Sequence, residues 1–487
     1  MKHLLHILIL SIAILAAQSC IEDSYATSPS DQPAFSTDTL HLGTVFTDEA
    51  TPNQSFMVYN RNSKMLSISD IWLSGPDAAH FRINVDGISG ERFSDVDIRG
   101  KDSIYVFVAA TLPEAAGLSG DYEALVNFTT NGVTQSVVVA AHGQNVDRLR
   151  AEVLTSDTRF TADKPYQIFD SLVVAEGVTL TLDAGTRLCF HDKASLIVRG
   201  TLLSAGTAEA PVVLGGDRTG NVVGDISFEI MSRQWDGLYF TPSSTGNRLV
   251  NTTVRNTTQG VVAAGDPAAD YSSVPQLYLL NSTLTNSGDV DLYAEYSAVT
   301  AVGTLFSEAS MGLVALHGGK HVFNHCTFAN NYLFTVIGGA AVQLSHLGYG
   351  EDLLDDGSGL PFIEADFSNS IIYGLGSEIS HGDLTGTSVF FRRCLLKSAG
   401  SDDQNFLMCL WDKDPLYYTV RNDYLFDYRL KPESPAIASA DPALTLPEAA
   451  SDAYGLARGA TPDLGAFVFT PPAEEQGEKR SGYSRQW

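Results

Sequence analysis

His317, His321 and His325 recur at intervals of four. On a helix this spacing puts three imidazoles on one face and gives a metal-binding surface. On strands the argument fails, because His325 falls in a repeat column otherwise held by Asn251, Asn281 and Asn369. A second group is acidic: Asp352, Asp355 and Asp356 lie within Glu351–Gly359 and offer hard oxygen ligands for Ca²⁺. Their spacing departs from that of an EF-hand loop, and the competing reading is a solvated acidic loop. The third is Trp235 beside Asp236. An exposed indole next to a carboxylate stacks on a sugar ring and hydrogen-bonds its hydroxyls; the alternative is an indole packed inside the fold. Trp235, Asp236, His317 and His321 are therefore the residues from which a ligand groove would be built. Paired carboxylates occur at Asp355-Asp356 and Asp402-Asp403. Glycoside hydrolysis needs two carboxyl groups at a defined separation, which neighbours in a loop do not guarantee. No catalytic site is identified, and no cofactor is called for beyond the Ca²⁺ that the acidic loop could hold.

The elements that must position these groups are repeats. From Val250 to Leu396 a four-residue unit returns, beginning at Asn251, Asn281, Gly303, His325, Asn369 and Arg393, with steps of 30, 22, 22, 44 and 24 residues. Taking the 44 as two steps of 22 places a hidden copy near Leu344 to Leu347, and the first step carries an eight-residue insertion. The second position of each unit is small (Thr252, Ser282, Thr304, Cys326, Ser370, Cys394) and the fourth is bulky and apolar (Val254, Leu284, Phe306, Phe328, Ile372, Leu396). Residues two apart on a strand share a face, so each turn offers one small and one large side chain to a common interior. Such turns bury their apolar face only by stacking. Asn256, Asn286, Asn330, Gly374 and Ser398 form a further column of residue types that tolerate a left-handed corner. A leucine-rich repeat has a comparable period but requires a Leu framework that is missing here.

The whole chain of 487 residues is 44% apolar and 18% charged, a core-forming composition. Its formal charge of −27 excludes a nucleic-acid surface, which needs Lys and Arg to neutralise phosphates. Residues 1–19 read as a signal peptide: Lys2, an apolar run from Leu4 to Ala17, then small residues, too short to span a bilayer. Leu15-Ala-Ala-Gln-Ser-Cys20 resembles a bacterial lipobox, with Cys20 as the lipidated residue, and Glu22-Asp23 resembles the acidic export signal of Bacteroidota lipoproteins. Secretory cleavage without lipidation is the other reading. Residues 20–33, rich in Ser, Asp, Thr and Pro, suit a flexible tether. The remaining cysteines are Cys189, Cys326, Cys394 and Cys409, and none has metal-ligand spacing. Cys326 and Cys394 lie three coils apart in one column, too far to be bridged.

Residues 34–145 alternate apolar and polar positions, as in Phe81–Val85 and Ile104–Val108, and Asn131-Gly132 is a two-residue hairpin turn. Short, evenly spaced strands over this length predict an immunoglobulin-like β-sandwich. The closing Ala140-Ala-His-Gly-Gln144 resembles the end of bacterial Ig-like domains of the abnormal-spindle type. Residues 150–470 form the second domain, and 471–487 read as a disordered tail. The period, the small-then-bulky interior and the Asn corners resemble the right-handed parallel β-helix of the pectate-lyase-like fold. Apolar triplets punctuated by Gly177, Gly185, Gly200 and Gly206 open it. With Gly206–Pro211, Gly215–Arg218 and the closing Pro462-Asp-Leu-Gly-Ala-Phe467, they resemble a family of Bacteroidota surface lipoproteins. In that family an Asp-[Ile/Leu]-Gly-Ala-[Tyr/Phe] strand finishes the helix.

The fold class is therefore all-β, an Ig-like sandwich followed by a solenoid. The resemblance implies an outer-membrane, lipid-anchored protein at the cell surface. The expected function is non-catalytic binding of a glycan or an envelope protein partner, since a solenoid's long side is an extended surface. A polysaccharide lyase or glycoside hydrolase is the alternative, and an adhesin the third reading. An enzyme needs titratable groups converging on one groove; a binding scaffold does not.

Overall fold

A computed structural model describes residues 24–223, 226–348 and 359–471. Cys20, the signal segment, the acidic residues Asp352, Asp355 and Asp356, and all but the first residue of the 471–487 tail lie outside the described residues. The chain divides into two compact units, 1–145 and 146–487.

The first unit holds two five-stranded sheets. One runs, in spatial order, Ala34–Phe35, Gln54–Tyr59, Ser103–Ala110, Phe81–Val85 and Ile88–Gly90. The other runs Thr39–Phe46, Val133–Gln144, Ser119–Thr130, Leu66–Ser74 and Arg92–Ile98. The predicted alternation is what packs: Phe81, Ile83, Val85, Val106 and Val108 of the first sheet join Val126, Phe128, Val137 and Val139 of the second in one core. Asn131 and Gly132 both take positive φ, 49° and 80°, the conformation that a two-residue hairpin needs. Residues 24–31 are not a free tether. Asn131 Nδ2 donates to the carbonyls of Ala26, Ser28 and Asp31 at 3.0–3.1 Å, and Tyr25 bridges to Met65.

The second unit is a parallel β-solenoid. Three strands per coil stack in three ladders, and each strand pairs with its equivalent in the next coil. The first ladder includes Thr252–Arg255, Thr283–Thr285, Leu305–Ser307, Thr327–Ala329 and Ile371–Ile372. The second includes Trp235–Phe240, Thr257–Ala264, Val290–Glu295, Gly312–His317 and Ala340–Ser345. The third is a ten-stranded sheet from Thr158–Phe160 to Phe406–Leu407. Asp147–Leu154 already belongs to the solenoid, pairing in parallel with Tyr166–Val174, so the second unit begins a few residues before 150.

Two sequence expectations are corrected by this register. Thr327–Ala329 pairs directly with Ile371–Ile372, so the 44-residue step is one coil lengthened by insertions, and Leu344 to Leu347 is no hidden copy. Leu344 instead lies on a second-ladder strand, facing inward. The left-handed corner also falls elsewhere in part. Every first position is left-handed, with φ from 41° at Asn251 to 58° at Gly303, as are Asn256, Asn286 and Glu308 one strand later. Asn330, Gly374 and Ser398 take other conformations.

In-register stacking makes columns of like residues. Phe323, Phe367, Phe391 and Phe406 stack at centroid separations of 4.7 Å with rings within 10° of parallel, which is the spacing of the strands themselves. The small column ties neighbouring coils together. The hydroxyls of Ser282 and Ser370 accept from the amides of Thr252 and Cys326 in the preceding coil, at 3.1 and 3.0 Å. The segment after the last coil does not finish the helix with a strand. Tyr417–Val420 and Phe426–Leu430 form an antiparallel hairpin. Ala436, Leu464, Ala466 and Phe467 then pack on Ala329, Ile371 and Leu395 of the first ladder, outside the main interior.

Phe367 stacks on two rings at once, so Phe367→Ala should lower the stability of the solenoid by about 3–5 kcal/mol in a denaturant titration, with the first unit unaffected.

Candidate functional site

The four candidate groove residues separate into two pairs. Trp235 is fully buried, stacked on Phe190 at 4.0 Å and 8°, and its Nε1–H donates to the Arg255 carbonyl at 2.7 Å. Its strand turns it inward, so it lines no exposed groove. His321 is buried too, in the inward column between Val299 and Ala365, where Nε2–H donates to the Gly318 carbonyl at 2.8 Å. Loss of solvent pushes its pKa down to about 4. His325 is held neutral in the same way, at about 3, between the Asp463 carbonyl, Thr445 and Asn369. The three histidines therefore point into different surroundings and form no metal face.

Asp236 and His317 remain on the solvent side of the second ladder. Asp236 Oδ2 accepts from the Tyr239 hydroxyl at 2.7 Å and from Ser195 Oγ at 3.1 Å. Burial, reinforced by the Asp236 carboxylate, raises the Tyr239 pKa, so the phenol stays a donor. Register then carries the face upward. Tyr239 aligns with Val262, Tyr293 and Ala315, and the neighbouring outward row is Ala264, Glu295, His317 and Ser345. His317 is held from both sides: Nε2 lies 2.9 Å from the Tyr296 hydroxyl and Nδ1 lies 2.7 Å from Ser345 Oγ. Rings extend the patch. His346 packs edge-on to Tyr296 at 5.5 Å and stacks on Phe362 at 4.7 Å.

The result is a half-exposed strip of Tyr239, Tyr293, Tyr296, His317, His346 and Phe362 with Asp236, Glu295 and Ser345 set among them. Ring faces suit the apolar faces of pyranose rings, and the carboxylates and hydroxyl suit their hydroxyl groups. Sequence reasoning missed most of this strip. Its signal was the coil period itself, since Glu295 and His317 are 22 residues apart and pair on adjacent strands.

Among the described residues thiol chemistry is not on offer. Cys189, Cys326, Cys394 and Cys409 are free, and burial raises every one of their pKa values. Asp402 and Asp403 do not converge as a pair: Asp402 accepts from Trp411 Nε1 and the amides of Met408 and Cys409, while Asp403 accepts from the amides of Asn405 and Phe406.

No protein-family model and no curated protein matches the chain. Among solved structures, a family 123 glycoside hydrolase from Clostridium perfringens aligns at 11% identity over 23% of this chain and 26% of its own, with a TM-score of 0.17. The chain thus spans about a quarter of that enzyme's length. The catalytic unit of a GH87 alpha-1,3-glucanase from Streptomyces thermodiastaticus aligns at 11% identity over 70% of this chain and 73% of its own, TM-score 0.19. PapD-like domain 7 of human CEP192 aligns at 12% identity over 25% and 89%, TM-score 0.18. Likenesses this slight assign neither an activity nor a ligand.

The buried His321 gives a pH dependence of known sign. Its folded pKa of about 4 lies below the ordinary value of 6.5, so the unfolded chain binds the proton first. Its contribution is complete above pH 6.5 and is lost as pH falls to about 4. The loss is on the order of 3 kcal/mol. Denaturant midpoints measured across that window should flatten in His321→Leu relative to the parent chain.

Proposed function

We propose that this protein binds a neutral extracellular glycan along the outward face of the second ladder and does not cleave it. The observation that carries this reading is the strip just described, in which rings and acceptor groups lie side by side on successive strands, Tyr239 and Tyr293 two strands apart and Glu295, His317 and Ser345 on adjacent ones. The chain's charge of −27 disfavours a polyanionic glycan, and the ammonium of Lys320, three residues after His317, lies 3.5 Å from Glu364. In this reading His317 is a fixed contact in the strip, its ring held in place by the Tyr296 hydroxyl at 2.9 Å from Nε2 and Ser345 Oγ at 2.7 Å from Nδ1.

The same reading takes in what the sequence alone supports. Cys20 is the lipid-bearing residue of a protein held at the outer face of the outer membrane, a member of the Bacteroidota surface lipoprotein family that its opening and closing motifs resemble. The first unit is an Ig-like spacer, and the solenoid is a right-handed β-helix. An envelope protein partner on the same strip is the competing occupant.

Full-length mature protein screened against neutral polysaccharides should bind at least one without releasing reducing or unsaturated ends. Tyr293→Ala and His317→Ala should each weaken that affinity by about tenfold, the equivalent of one lost ring contact. Failure to bind any neutral glycan, or binding indifferent to both substitutions, would rule this surface out. Separately, Cys20→Ala should move the protein from the membrane fraction to the soluble fraction.

A further inference from the structure

One column of the solenoid contains a residue of the wrong kind. At the corner between first and second ladders, asparagines satisfy themselves by donating. Asn256 Nδ2 reaches the carbonyls of Glu229 and Met231 at 2.7 and 2.8 Å, Asn286 reaches Ile230 at 2.8 Å and Asn330 reaches Ala309 at 2.7 Å. In the coil that begins at Gly303 the position is Glu308, in the same left-handed conformation as Asn256 and Asn286, φ 62°, and only 2% exposed. A carboxylate has no amide to donate. Its Oε1 accepts from the Tyr428 hydroxyl and the Asn331 amide, but Oε2 has no partner.

A second carboxylate acts on the first. Asp291, also 2% exposed, is the second residue of the adjacent second-ladder strand Val290–Glu295, and neither of its oxygens is in hydrogen-bonding geometry with any group, the amides of Ser307 and Ser287 acting on it only electrostatically. Burial, then the charge of Glu308, holds the Asp291 carboxyl well above its ordinary range, against a smaller pull from the amides of Ser307 and Ser287. Burial pushes Glu308 up to about 8. Three buried carboxylate oxygens thus have no hydrogen-bond partner within the chain. Buried acceptors in that state are costly unless something supplies positive charge.

Protons fill the need poorly. One proton leaves a net negative charge on the pair, and two satisfy it only if each acid's O–H finds an acceptor on the other carboxyl or beside it. A divalent cation cancels both charges and gives the unsatisfied oxygens a partner. The donors present are oxygens, which select a hard ion over zinc or copper. We propose that Asp291 and Glu308 form a buried site for a hard divalent cation, Ca²⁺ first among them, beside the Tyr428 hydroxyl. Because Tyr428 belongs to the hairpin strand Phe426–Leu430, the ion fastens that hairpin to the middle of the solenoid. This site uses none of the residues of the glycan strip and none of residues 351–358.

The test uses the full mature chain, stripped with EGTA. Ca²⁺ should raise Tm by several degrees, and native mass spectrometry should find one retained ion. Asp291→Asn and Glu308→Gln should each abolish the shift, as should Glu308→Asn, which restores the residue of the column and should fold. Tb³⁺ added to the unaltered protein should luminesce on tyrosine excitation, lose its signal to Ca²⁺, and weaken in Tyr428→Phe. The proposal is overturned if the folded parent chain shows neither a Tm shift nor Tb³⁺ luminescence, or if Asp291→Asn and Glu308→Gln stabilise equally with Ca²⁺ and with EGTA, which identifies a protonated pair. It is equally overturned if the shift survives both substitutions and disappears in Asp355→Asn with Asp356→Asn.

Discussion

In-register parallel pairing is the constraint on which the second unit depends. Each strand lies over its equivalent one coil away, so every side chain meets a neighbour from the same position of the repeat at strand spacing. Aromatic rings gain from this arrangement, as the Phe323, Phe367, Phe391 and Phe406 stack shows. Small hydroxyls gain as well, because each can reach the corner amide of the coil before it. Charge does not gain, since like charges in one column repel in a medium that screens them little. Most inward side chains are accordingly apolar, hydroxyl-bearing, amide or neutral histidine, with the buried carboxylates Asp291 and Glu308 among the exceptions.

The corners impose a second demand. A left-handed residue at every first position turns the chain from the third ladder into the first, and its side chain points away from the interior. Asn251, His325, Asn369 and Arg393 use that direction to hold the C-terminal segment, through the carbonyls of Ala453, Asp463, Asp441 and Ser439. The closing stretch is therefore fixed by side chains drawn from widely separated coils. This explains why His325 and Arg393 replace the usual asparagine without disturbing the coil: the replacement occurs where partners outside the repeat are available.

The sequence made the period, the hairpin at Asn131-Gly132 and the small and bulky columns legible, because these follow from local conformation and two-residue alternation. It did not reveal how long an insertion a single coil tolerates. A step of 44 residues looks like two coils only if loops are assumed short, and here the chain leaves the coil twice before returning to Ile371. Nor did it reveal the parity of Trp235 and His321. Whether a residue faces in or out depends on where the corner falls, and a shift by one position reverses the face. Asp236 and His317 were recoverable by type, whereas Tyr293 and Glu295 were recoverable only by carrying the period outward.

A departure from a column is thus not by itself a sign of function. His325 and Arg393 depart from theirs and are fully accounted for by partners in the C-terminal segment. Glu308 departs at a corner whose other members are donors, and it brings acceptors to a place already short of donors, beside a second carboxylate in the same condition. Its Oε1 is accounted for by the Tyr428 hydroxyl of the C-terminal hairpin and the Asn331 amide, but its Oε2 and both oxygens of Asp291 are not, and these are the atoms to which the proposed ion answers. Departures of this second kind, unsatisfied rather than merely unusual, are where a repeat protein's chemistry is to be sought.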